Sequence, residues 1–219
     1  LEFEPNIRLA LTILRACGLS DEVIAQGLKT VKPDSGCPRM WEKSFDDLGK
    51  KVYLVSLFAA NDPQSSLEAM LKIMDRTGWR WRTVYGLLCF RRDRGDRTRQ
   101  WVDFLVEKWR EGILANQRSD AQGRLELAGL ALEGPGATAA GRYFKKKLKD
   151  QPSGPPLFIV QSSSPEAVLR DILTHFSSIS GEKDFLPQPG PLVFGLGNIV
   201  GFGQEMIDYL ERKANAVEL

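Results

Sequence analysis

Val84-Tyr85-Gly86-Leu87-Leu88-Cys89-Phe90-Arg91-Arg92-Asp93-Arg94-Gly95-Asp96-Arg97-Thr98-Arg99-Gln100-Trp101 is the stretch that decides the fold. Its first seven residues form an apolar run of the kind that fills a strand buried on both faces. From Trp101 the apolar positions Leu105, Val106 and Trp109 return at helical spacing. Between them, Arg91 to Arg99 holds five arginines and two aspartates. The charges therefore fall at the carboxyl end of a strand, just ahead of a helix, where open α/β sheets bind ligands. Helix N-terminal N–H groups and arginines there favour phosphate or carboxylate. A solvated basic loop is the plainer alternative, but aspartates alternate with the arginines instead of being excluded.

The same rhythm extends outward. Strands are predicted at Val52–Phe58, Thr83–Phe90, Arg124–Leu132, Leu157–Val160 and Leu192–Gly195. Helices are predicted at Ser65–Thr77, Thr98–Arg110, Ala137–Leu148, Ser164–Phe176 and Gly203–Arg212. Apolar strands alternating with helices indicate an α/β fold, a mostly parallel Rossmann-like sheet with helices on both faces. Upstream, Asn6 is placed to cap a helix that runs to Cys17, and Ser20-Asp21-Glu22 starts a second ending near Leu28. Residues 32–49, with Pro33, Gly36 and Pro38, read as irregular. The rhythm changes there, which divides the chain into residues 1–48 and 49–219.

Composition narrows the class. The 219 residues are 42% hydrophobic and 26% charged, as in a globular protein. A net charge of +2 argues against a general nucleic-acid binder. Cys17, Cys37 and Cys89 lack metal-ligand spacing, and two lie in or beside apolar segments, which suggests buried free thiols in a reducing compartment. The single histidine, His175, falls in a helical apolar pattern and reads as structural; no metal site is expected. Lys145-Lys146-Lys147 reads as a solvated helix face. No signal peptide or membrane-spanning run is recognisable. The chain starts at Leu1, inside a helix-like pattern, which is expected of a piece of a longer protein.

Three strand-to-helix junctions carry functional residue types, all on one edge of such a sheet. The first is Ala59-Ala60-Asn61-Asp62-Pro63-Gln64-Ser65-Ser66, with Ser65 or Ser66 as the helix cap; a turn plus cap would need the same residues. The second is the Arg/Asp loop. The third, Phe194-Gly195-Leu196-Gly197-Asn198-Ile199-Val200-Gly201-Phe202-Gly203, lets backbone approach a ligand, although tight strand–helix packing explains it equally well. It lacks the Gly-Lys-Ser/Thr of a phosphate-binding P-loop.

Taken in order, Asn61-Asp62-Pro63, Arg91 through Thr98 and Gly195-Leu196-Gly197-Asn198 resemble the ligase subunit of poly-γ-glutamate synthase, the capsule-type branch of the Mur ligase superfamily. Phe3-Glu4-Pro5-Asn6 and Asp34-Ser35-Gly36-Cys37-Pro38-Arg39 fit the same pattern at compatible spacing. The resemblance implies a bacterial ATP-dependent, ADP-forming amide ligase, in which a glutamate carboxylate becomes an acyl phosphate that another glutamate's amine displaces. ATP and Mg²⁺ would be bound mainly by an upstream P-loop domain. Residues 1–48 would end that central domain, 49–219 would be the Mur-type C-terminal domain, and this chain alone would be inactive.

The roles it implies are specific. Arg91, Asp93, Arg94 and Asp96 would face the closed active site as catalytic residues. Asn6, Arg39, Asn61 and Asp62 would bind nucleotide, Asn6 against the adenine and Asn61 near the phosphates. Arg97, Thr98, Gly195, Gly197 and Asn198 would bind the amino-acid substrate. The implied partners are glutamate or a growing polyglutamate chain and other subunits of a membrane polymer-synthesis complex, at the cytoplasmic face of the membrane. A homo-oligomer is compatible with it, and nucleic acid is not implied. Two features depart from the pattern: Phe58 stands where peptidoglycan Mur ligases carry an acidic hinge residue, and 181–191 has no counterpart. A folylpolyglutamate-type or peptidoglycan-type ligase, and a non-catalytic Rossmann-like module for an anion or partner protein, remain alternatives.

Overall fold

The computed structural model describes residues 4–30, 36–60, 62–78, 83–111, 113–114, 127–149, 155–180 and 190–218. Two helices come first, α1 (Glu4–Ala16) and α2 (Asp21–Thr30). A hairpin of β1 (Arg39–Phe45) and β2 (Lys50–Ser56) follows, turned by a short 3₁₀ segment ending at Gly49. Then strands and helices alternate: α3 (Pro63–Arg76), β3 (Val84–Cys89), α4 (Gly95–Arg110), β4 (Gly129–Glu133), α5 (Ala137–Lys147), β5 (Leu157–Ile159), α6 (Pro165–Ser180), β6 (Leu192–Gly197), α7 (Gln204–Lys213) and β7 (Asn215–Val217).

The seven strands form one sheet in the order β5-β4-β3-β6-β2-β1-β7. The first five run parallel to one another. At the far edge β1 is antiparallel to β2, and β7 to β1. Every residue of β3 and β6 is buried, which is why both read as unbroken apolar runs. The apolar positions of α3, α4 and α5 cover one face of the sheet, and those of α6 and α7 cover the other. This is the α/β, Rossmann-like architecture expected.

The topology creates one crevice. The chain moves outward from β3 through β4 to β5, then returns to lay β6 between β3 and β2. After β3 it turns to the α4 face; after the adjacent β6 it turns to the α7 face. Neighbouring strands whose connections diverge to opposite faces leave an opening beyond their carboxyl ends. The register Cys89↔Gly197 puts the ends of β3 and β6 side by side at that point.

Several local expectations need correction. Residues 39–45, expected to be irregular, form β1, so the sheet reaches back to Arg39. Asn6 lies inside α1 and does not cap it: the helix begins at Glu4, and Pro5, which has no N–H to offer, suits the first turn. Helix α3 is capped by Asp62 instead of Ser65 or Ser66, with Pro63 opening its first turn. Helix α4 starts at Gly95, three positions earlier than Thr98. Of the thiols only Cys89 is buried; Cys17, at the end of α1, is exposed. His175 stacks on Phe158 at 4.3 Å between ring centroids, in keeping with a structural role. Asn61, Asp34, Ser35 and 124–126, to which expectations were attached, lie outside the described residues, as do 181–189.

Candidate functional site at the carboxyl edge of the sheet

The ends of β2, β3 and β6 meet at the crevice, and named side chains tie them together. After β2, Asp62 accepts from the Ser65 amide at 2.9 Å and from the Ser65 hydroxyl at 2.7 Å. These bonds, and then the nearby positive charge of Arg97, hold the Asp62 carboxyl below its usual range. Arg97 belongs to the first turn of α4, and its guanidinium lies 3.5 Å from Asn198 Oδ1. Asn198 follows β6, is 5% exposed, and donates through Nδ2 to the carbonyl of Cys89 at 3.2 Å. Asn198 thus bonds across to β3 and meets Arg97, whose charge also reaches Asp62, so all three junctions singled out by the sequence come together.

Two glycines permit this approach. Gly197 has φ +97°, and a Cβ there would lie 2.4 Å from the Cys89 carbonyl oxygen. Gly195 serves packing: the Phe58 ring occupies the space its side chain would take, with Phe58 buried at 1% exposure. That placement accounts for Phe58 where an acidic residue was the comparison, since the ring fills the sheet's α6–α7 face. Beyond Asn198 the chain makes a wide kinked turn through Ile199–Gly203, with Gly201 at φ +88°.

The Arg/Asp loop sits at the mouth. Arg91 grips Asp93 with two bonds, Nε to Oδ1 at 2.9 Å and Nη2 to Oδ2 at 2.6 Å. That pairing pulls the Asp93 carboxyl below its usual range. Arg94 is the residue preceding α4, with an exposed side chain, and Asp96 is exposed in the first helical turn, where a negative charge suits the helix dipole. Thr98 turns its hydroxyl back to the Arg94 carbonyl at 3.1 Å, a helix-internal bond.

Two other expected contributors lie on α1 and β1. Arg39 is ion-paired with Glu211 of α7 and lies 5.3 Å over the Trp41 ring, on the β1 side of the sheet. Its Nε is buried without a partner. Asn6 lies in α1, and its side chain is outside the described residues.

A fourth junction escaped the sequence reading. Strand β4 ends at Glu133, opposite Cys89 in register, and its carbonyl accepts the Phe90 amide at 2.9 Å. Gly134 follows at φ +97°, pressed against the Phe90 carbonyl, and Gly136 packs beside Phe90 and Thr98. Burial pushes the Glu133 carboxyl up to about 7; the Cys89 thiol partly offsets this, and the negative charge of Glu205 adds to it. The available signal was an acidic residue closing an apolar strand just before Gly134-Pro135-Gly136.

Among the described residues no group of three or more His, Cys, Asp or Glu side chains is placed to hold a metal ion. None of the described helices is long and apolar enough to cross a membrane.

Fold and site define a Rossmann-like α/β domain with charged and glycine-rich strand ends gathered at its switch point. Residues 43–213 match the family described as the poly-gamma-glutamate synthase CapB C-terminal domain, and the chain belongs to that family. It is similar to the capsule biosynthesis protein CapB of Bacillus anthracis, 34% identical over 100 residues, which is 46% of this chain and 21% of that protein's length. No solved structure matches it.

Proposed function

We propose that this chain is the C-terminal part of an ATP-dependent amide ligase of the Mur superfamily, which extends poly-γ-glutamate. The observation that carries the reading is the arginine-bearing end of β3, set at the switch point of a domain in this family. A guanidinium there meets the need of phosphoryl transfer, which is positioning plus offset of charge on the transferring group.

In the first step a glutamate carboxylate oxygen attacks the γ-phosphorus of ATP, the bond to the β-phosphate oxygen breaks, and ADP leaves. In the second the amine of another glutamate attacks the acyl carbon, a C–N bond forms, and phosphate departs with the C–O bond pair. Arg94 is free to swing toward the transferring phosphoryl group because its side chain is exposed. Arg91 is oriented by Asp93. Arg97 and Asn198 form a polar floor for the amino-acid substrate. The charge set fits a triphosphate approached from one side, with most of the nucleotide and its Mg²⁺ held by an upstream P-loop domain. Helices α1 and α2 expose Leu9, Ile13, Val23 and Leu28, a face suited to packing against such a domain. Asn6, Arg39, Asn61 and Asp62 are proposed on the nucleotide side, with Asp62 acting through the α3 cap. Function beside other subunits at the cytoplasmic membrane face belongs to the same reading.

The test uses the full-length gene product with ATP, Mg²⁺ and glutamate. Arg94→Ala is expected to lower glutamate-dependent ADP release about 10²–10³-fold, the effect of removing one transition-state donor. Its circular dichroism should match wild type, because the side chain is exposed. Wild-type turnover in the variant would remove this loop from the active site. The absence of a P-loop within about 150 residues upstream would end the ligase reading itself.

A further inference from the structure

The end of β4 holds a carboxylate that the proposed reaction has so far left idle. Glu133 is half-buried, and its Oε2 is shut off from solvent with no hydrogen-bond partner. The main chain that carries it is fixed on both sides: the Phe90 amide binds its carbonyl, and Gly134 is wedged against Phe90. Alternation along β4 puts Glu133 on the same face as Ala131, toward α6 and α7. The titratable groups acting on it are the Cys89 thiol of β3 and the carboxylate of Glu205 in the first turn of α7. No ion pair to Glu133 or Glu205 occurs among the described residues. Burying part of a carboxylate without a compensating charge is costly, and because the side chain is only half-buried an ammonium group at its accessible side supplies that charge.

We propose that Glu133 is the amine-side base of the ligase: its carboxylate receives the ammonium group of the incoming glutamate and takes one proton from it. The proposal rests on the ligase reading above. The step balances as R–NH₃⁺ with Glu133 carboxylate giving R–NH₂ with Glu133 carboxylic acid. The neutral amine's lone pair then forms the C–N bond as the acyl C–O bond to phosphate breaks. Two other carboxylates at this edge suit the task less well. Asp93 is locked by Arg91 and Asp62 by Ser65, and both are held in the anionic form by those bonds. A base that titrates near working pH transfers protons most effectively. An ordinary solvated carboxylate would be too weak, and burial at the β4 end corrects that.

The experiment compares two acceptors in the full-length protein with ATP, Mg²⁺ and glutamate. One is the amine of glutamate, which is an ammonium at neutral pH. The other is hydroxylamine, which is uncharged at neutral pH and attacks an acyl phosphate with no prior loss of a proton. In Glu133→Gln the ratio of glutamate-coupled product to hydroxamate is expected to fall by about 10²-fold or more. The acid limb of the kcat–pH profile, near pH 7 in wild type, should disappear, and Glu133→Asp should restore part of the ratio. An unchanged ratio, or an unchanged acid limb, overturns the proposal, because a structural role would depress both acceptors together. If wild type forms no hydroxamate and releases no ADP, the ligase reading has failed, and with it the base.

Discussion

The ends of β3 and β4 lie side by side, yet they treat charge in opposite ways. After β3 the charges are dense and exposed, and Asp93 is answered by a two-bond grip from Arg91. At the end of β4 a single carboxylate is half-buried, with one oxygen unanswered. The Asp93 carboxyl is lowered by its partner, whereas the Glu133 carboxyl is raised by burial to about 7. The difference teaches that charge density is legible along a chain, whereas burial and unpaired valence are not. Whether a group there is poised to move a proton depends on burial and on unpaired valence.

Cutting the link between strand ends should have the largest effect. Asn198→Ala removes the buried donor to the Cys89 carbonyl and the oxygen facing Arg97. A loss of about 1–3 kcal/mol is expected from the stranded acceptor, read as a lower denaturation midpoint. Wild-type stability would show that the β3–β6 contact does not hold the site together.

The two carboxylates should then differ in how they shape stability with pH. Glu133 has a folded pKa raised above its unfolded value, so the folded state binds its proton more tightly. Its contribution is greatest below the unfolded pKa, near 4.5, and is lost as pH rises through about 7. Glu133→Gln should therefore flatten that decline and stabilise the protein above pH 7, on the order of 1–2 kcal/mol once solvent screening of the part-exposed group is allowed for. Asp93 has the opposite sign: its pairing helps above the unfolded pKa and fades as pH falls through the lowered one. Its side chain is 64% exposed and the pair is screened by solvent, so Asp93→Asn should shift the melting temperature far less than Glu133→Gln. Matching pH profiles of melting temperature for the two variants would erase the distinction drawn between them.

Much of the fold was legible because β2, β3 and β6 lie in the middle of the sheet and are apolar on both faces. Strand β1 was not, because its centre reads Trp41-Glu42-Lys43-Ser44, and of its residues only Met40, Trp41 and Phe45 are buried, with neither an unbroken apolar run nor an alternation. Strand β7 is three residues long and leaves no period to read. The site divides in the same way. Arg97 and Asn198 were legible as chemistry at strand ends; their convergence depended on the return of β6 to a place between β3 and β2, which local spacing does not encode. Asp62 was visible, but its capping role went to the serines, because either residue type caps a helix and only the start of α3 decides between them. Glu133 stayed hidden because a single glutamate after an apolar run usually marks a strand leaving the core.

The most direct measurement is the fate of carboxylate oxygen in the full-length protein. With glutamate labelled by oxygen-18 in the carboxylate that is activated, the account predicts one labelled oxygen in each phosphate released with ADP, because the acyl C–O bond breaks in the amide-forming step. Release of unlabelled phosphate during amide formation, or of AMP and pyrophosphate, would contradict it.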